Sequence, residues 1–249
     1  MKAVICICIC LLLLNMKGTS IKKILILVTI LAVPGFLYYL LTEKGKNRYK
    51  PLPIFGPKTV ASTFHSVRGK KIPDTVYHQV SDFKLINQAG DSLSWKSYEN
   101  KIIILNLFYS SDNPGTKLTN KLIKDFEKNY GKNTVLRFVS VSVDPRGDTK
   151  AVLSKYAEEH HAKPGKWDLL SGDSIQVYNL INKQLFIDAF QKKENGKNIF
   201  VYNNLFVLLD PQHRIRGYYE ATNQEALSKL DDEIKVLIVE ELRNNTDGR

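Results

Sequence analysis

Three thiols, five imidazoles and one polar turn are the residues of this 249-residue chain whose types could do chemistry. The thiols are Cys6, Cys8 and Cys10, and residues 11–249 contain no cysteine. Their alternation would set them on one face of a strand, as a metal clip would require. Their neighbours are apolar and lipid-like and no further thiol exists, so a metal site is not expected there. Disulfide exchange and peroxide reduction need a thiolate. Residues 11–249 cannot supply one, which excludes both activities for that part of the chain.

The histidines are His65, His78, His160, His161 and His213, and no two stand at a ligand spacing. His160 and His161 are adjacent, so on a helix they point apart; helix-end cation and solvated surface are the expected roles. Asp144, Asp148 and Asp173 sit in turn-like contexts and are expected as turn and cap residues, not as an acid–base pair. The polar turn is F108-Y-S-S-D-N-P-G-T-K-L-T-N120, directly after an apolar run. Thr116 is expected to cap the helix that follows, with Asp112 adding negative charge at the positive helix end.

These groups need elements to position them. Ile24–Leu41 is an 18-residue uncharged stretch that spans about 27 Å as a helix, close to a bilayer core. It is expected to be an uncleaved single-pass anchor, with Pro34-Gly35 tolerated in lipid and Tyr38 and Tyr39 at an interface. Met16 is the expected true start, residues 1–23 a cytoplasmic N-terminus, and residues 42–75 an extended, proline-bearing tether. The globular domain is expected over 76–243, with a tail at 244–249.

The net charge of +11 is unevenly placed. Residues 1–58 carry nine Lys/Arg and one acid, for +8; the rest carry twenty-seven bases and twenty-four acids, for +3. The excess therefore flanks the anchor, where anionic headgroups would meet it. No basic run interleaved with aromatics suggests a nucleic-acid partner. Lysines on both sides of the span leave its orientation undecided.

Within the domain, Phe83–Ser94 predicts a hairpin turning near Gly90-Asp91. Lys101–Phe108 and Val135–Val143 predict buried strands. Helices are expected at Thr116–Tyr130, Thr149–His160, Ser174–Leu185 and Asn223–Arg243, and a hairpin at Leu205–Asp210 and Arg214–Tyr219. Strand–helix–strand, helices, hairpin and closing helix predict an α/β, thioredoxin-like fold: a central mixed sheet flanked by helices.

One stretch is specific: S140-V-S-V-D-P-R-G-D-T-K-A-V-L-S-K-Y-A-E-E-H160, followed by P164-G-K-W-D-L-L-S-G-D173. It resembles the Sco/SenC family of membrane-anchored copper and cytochrome c oxidase assembly proteins. F83-K-L-I-N-Q-A-G-D91, L208-L-D-P-Q-H-R-I-R-G-Y-Y219 and K50-P-L-P-I-F-G-P57 are similar to the family's first hairpin, late hairpin and tether. The resemblance implies a domain facing the periplasm, and copper held by a Cys-x-x-x-Cys pair and one distant histidine. It also implies a partner such as cytochrome oxidase subunit II or another respiratory assembly protein. In this sequence the matching positions fall on Asp112, Thr116 and Tyr202, provided that the proline after the second cysteine is deleted. Oxygen ligands are a poor match for Cu(I), so no copper or other cofactor and no enzymatic activity are expected. The expected role is a non-enzymatic binding or assembly partner. Two alternatives stand beside it: copper or redox-partner handling through other donors such as His65, His78 or a partner's residues, and a small anion held at the helix N-terminus.

Overall fold

A computed structural model describes residues 20–40, 51–67, 69–111 and 114–247. Cys6, Cys8, Cys10, Met16 and Asp112 lie outside the described residues. The chain divides into two units, residues 1–50 and 51–249. In the first, Ser20–Tyr39 is one helix (α1) that continues through Pro34. Its window Lys22–Tyr39 has a mean hydropathy of 1.6 and is long and apolar enough to cross a membrane.

The second unit is built on a five-stranded mixed sheet. Its strands are β5 (Ile102–Phe108), β6 (Leu136–Ser142), β7 (Trp167–Leu170), β10 (Leu205–Leu209) and β11 (Ile215–Glu220). The order is β11-β10-β5-β6-β7. β5, β6 and β7 run parallel, while β10 pairs antiparallel with both β5 and β11. β5 is apolar almost without a break because both of its faces are covered. Ile103, Leu105 and Leu107 point into one core with Trp95, Leu180 and Leu185. Ile102, Ile104 and Phe108 point into the other, against helices α2 (Pro114–Tyr130), α3 (Lys150–His160) and α5 (Gln224–Asp247).

The polar Asn106 in mid-strand is buried but satisfied. Ser140 Oγ donates to its Oδ1 at 2.6 Å, and Trp167 Nε1 donates to that Ser140 oxygen at 2.9 Å, tying β5, β6 and β7 together. The short first hairpin, β3 (Leu85–Ile86) with β4 (Ser92–Leu93), is fastened to β7 through Gln88: its Nε2 donates to Trp167 O at 2.8 Å and its Oε1 accepts from Leu169 N at 2.9 Å.

Two expectations are corrected, and one element is new. The stretch read as an extended tether contains an antiparallel ribbon, β1 (Lys58–Val67) and β2 (Lys70–Tyr77), and the second unit starts at Pro51, not Val76. Ser174–Leu185 is a short helix, α4 (Ser174–Tyr178), running into a π-helical turn at Asn179–Gln184. Residues 189–202, left without an element, form a second ribbon from β8 (Ala189–Glu194) and β9 (Lys197–Tyr202).

Candidate functional site

The carboxyl end of β5 opens into the polar turn, and α2 starts at Pro114. Proline suits the first helical position, since its fixed φ fits the helix and the missing N–H would have had no partner. Thr116 is therefore the third helical residue and not the cap. Its side chain is buried, 2% exposed, and its Oγ1 lies 3.0 Å from the hydroxyl of Tyr202 at the end of β9. The fold thus brings together two of the three positions singled out from the sequence. The third, Asp112, lies outside the described residues.

Tyr202 is held by more than that contact. Tyr109, next after β5, packs its ring 5.4 Å from Phe200 and 6.1 Å from Tyr202, so the β8–β9 ribbon closes over the turn through three aromatics. Burial pushes the Tyr202 phenol up to about 12. Beside it, a Cβ on Gly115 would collide with the side-chain amide of Asn204. The space in front of α2 is occupied by an amide and a phenol.

Beneath the turn lies Asp148, 2% exposed. It accepts from Ser110 Oγ at 2.5 Å, from Ser110 N at 3.2 Å and from the Ser142 hydroxyl. Burial pushes its carboxyl up, against the opposing effect of these donors. Asp148 is thus a buried brace joining the end of β6 to the polar turn, a larger role than the turn residue expected. Asp144 and Asp173 do behave as turn and cap residues. Asp144 Oδ1 accepts from Gly147 N at 3.0 Å, and Asp173 Oδ1 accepts from Ile175 N and Gln176 N, capping α4.

A cavity of about 230 Å³ flanks the turn, lined by Ser110, Thr116, Lys117, Asn120, Tyr156 and His160 among others. The His160 ring lies against Tyr156, tilted with centroids 4.3 Å apart, and burial holds its imidazole below the ordinary range, so the expected helix-end cation is disfavoured. Tyr156 is pushed up to about 12, chiefly by burial. The Asn120 amide nitrogen donates to Tyr156 at 2.5 Å, leaving its buried oxygen without a partner. That acceptor, the Glu159 carboxylate in the lining and Asp148 below suit an anion poorly.

The histidines do not converge. His65 Nδ1 is 2.6 Å from Asp74, His78 Nε2 is 2.9 Å from Gln184 O, and His213 stacks on Trp95 at 4.4 Å. His161 caps α3 in a left-handed conformation. Among the described residues no three His, Cys, Asp or Glu side chains group as a metal site. Among the described residues the donors at the turn are hydroxyls, amides and the Asp148 carboxylate, hard groups that do not fit a soft cuprous ion.

A family model described as SCO1/SenC matches residues 73–235. The chain belongs to the SCO1/SenC family. The SCO1 protein homolog of Bacillus subtilis is 23% identical over 168 residues, covering 67% of this chain and 86% of that protein. Among solved structures, Bradyrhizobium japonicum ScoI with copper bound superposes with a TM-score of 0.53 at 20% identity, over 62% of this chain and 98% of that one. Yeast Sco1 with copper bound gives 0.54 at 18% identity, over 64% and 89%. At such identities the superpositions establish the fold, a thioredoxin-like α/β domain, and agree with the expected class.

Sequence reasoning missed Asp148, Asn204 and the ribbon that carries Tyr202. A signal for the ribbon was present: Asn195-Gly196 is a favoured two-residue hairpin turn, and both residues have positive φ, 51° and 76°.

Proposed function

We propose that this family member is a single-span membrane protein, its domain facing the periplasm, in which an oxygen-lined plug replaces the copper and thiol site. It works as a non-enzymatic partner in copper delivery or cytochrome c oxidase assembly. The observation that carries this reading is the Thr116–Tyr202 contact at 3.0 Å: two positions matching family ligands meet, and both bear hydroxyls. The positions matching the family's thiolates, Asp112 and Thr116, and the one matching its imidazole, Tyr202, carry no sulfur and no imidazole. Phenols raised to about 12 stay protonated at neutral pH and offer no anionic donor in exchange.

The test is Cu(I) titration of the full chain in detergent with Cys6, Cys8 and Cys10 replaced by serine, so that the N-terminal thiols cannot contribute. No tight stoichiometric binding is expected. Tight one-to-one binding would mean that donors elsewhere in residues 11–249 assemble a site, and would overturn the reading.

A further inference from the structure

The β1–β2 ribbon is uncovered on both faces. All of its strand residues except Ala61 and Asp74 are exposed. The register sets Tyr77, Val60, Phe64 and Pro73 on one face, with Lys58 and Lys71, and Val76, Ile72 and Val67 on the other, with Lys70. Val60 is 76% exposed, Phe64 61% and Val76 53%. A two-stranded ribbon without a covering layer is marginal in water, and a contiguous apolar patch of this kind marks a contact surface.

We propose that this ribbon docks on the anionic headgroups of the bilayer in which the chain is anchored. Three observations choose that occupant. Residues 58–77 carry Lys58, Arg68, Lys70 and Lys71 against one acid, Asp74, for a net +3. Asp74 is itself engaged: hydrogen bonds from Thr63 and then His65 hold its carboxyl below the usual range. Two like-charged ribbons repel, whereas lysines interspersed with an aromatic and aliphatic face match a headgroup boundary. Finally, only residues 40–50 lie between α1 and the second unit, a reach of at most about 40 Å, which keeps the ribbon-bearing unit close to the bilayer of its anchor. Its base is fixed to the domain, by Phe55 N to Ile215 O at 2.8 Å and Val80 N to His213 O at 2.9 Å. Docking would therefore set how the domain stands on the membrane.

The inference rests on the membrane anchoring proposed above, and the experiment separates the two. The full chain carrying Phe64→Trp is assembled into nanodiscs of phosphatidylcholine alone or with three parts in ten phosphatidylglycerol. The emission of the unsubstituted chain is subtracted to remove Trp95 and Trp167. Failure to incorporate would sink the anchor itself. With incorporation, the expected result is a blue-shifted emission from the introduced indole in the anionic discs, quenched by brominated acyl chains. The shift is lost at high salt and in the variant that also carries Lys58→Glu, Lys70→Glu and Lys71→Glu. Emission typical of a water-exposed indole in both lipids overturns the proposal while leaving the anchor intact. An equal shift in both lipids overturns the anionic specificity. A shift without bromine quenching that grows with the number of chains per disc assigns the ribbon to a second copy instead.

Discussion

Gly115 and Asn204 compete for one volume. Gly115 is the second residue of α2, where alanine would ordinarily gain up to about 1 kcal/mol over glycine. Here the added methyl meets the Asn204 amide, so Gly115→Ala is expected to destabilise by about 1–2 kcal/mol. In an Asn204→Ala background the sign should reverse to a gain of about 0.5–1 kcal/mol. Urea unfolding of the four chains measures that coupling, and additive effects would mean that the two residues do not share the space. This relation was not legible in the sequence, because the partners lie far apart along the chain and neither residue type announces a contact. Thr116 was misplaced for a local reason. Threonine before an apolar run resembles a cap, but Pro114 two residues earlier is the stronger start signal.

The elements that sequence patterning located were the ones with a continuous reason to form. β5 and β6 are buried on both faces, and α2 and α5 carry a clear apolar stripe. β7, four residues long, is too short for periodicity to show, and β8 is hidden because Gln191, Lys192, Lys193 and Glu194 follow one another along it with no apolar alternation. The β10–β11 turn supports a test of its own. His213 there has φ 59°, stacks on Trp95, and has a buried Nε2 without a partner. Burial lowers its pKa, with Asp210 and Asp82 opposing. The unfolded chain therefore binds the proton more readily than the folded one. Stability from this group is present above about pH 6.5 and lost as pH falls toward the folded value. Asparagine tolerates the same left-handed backbone, so His213→Asn keeps the turn and removes the titration. Melting temperatures from pH 7.5 to 5 should fall more steeply for the unsubstituted protein; parallel curves would refute the assignment.

At the scale of the molecule, chain order and the long elements carried the fold class, and the family motif carried the identity of the turn. How the site was filled had to come from contacts between distant segments. One such contact reaches past the 73–235 segment that the family model matches. Arg216, 1% exposed, donates from Nη1 to Asp210 Oδ2 at 3.0 Å. From Nη2 it donates to Leu52 O at 2.9 Å and to Glu240 Oε2 at 3.0 Å. Leu52 and Glu240 both lie outside the matched segment, one before it and one after. Cutting the gene at the family limits would leave this guanidinium with two of its three acceptor residues gone, at a cost of about 3–5 kcal/mol. Such a fragment should be recovered as insoluble or partly unfolded protein, and extension to residues 51–247 should restore a cooperative melt. The contacts that satisfy Arg216 thus extend beyond the recognisable signature, and a boundary drawn by similarity would sever a strut that only the three-dimensional arrangement reveals.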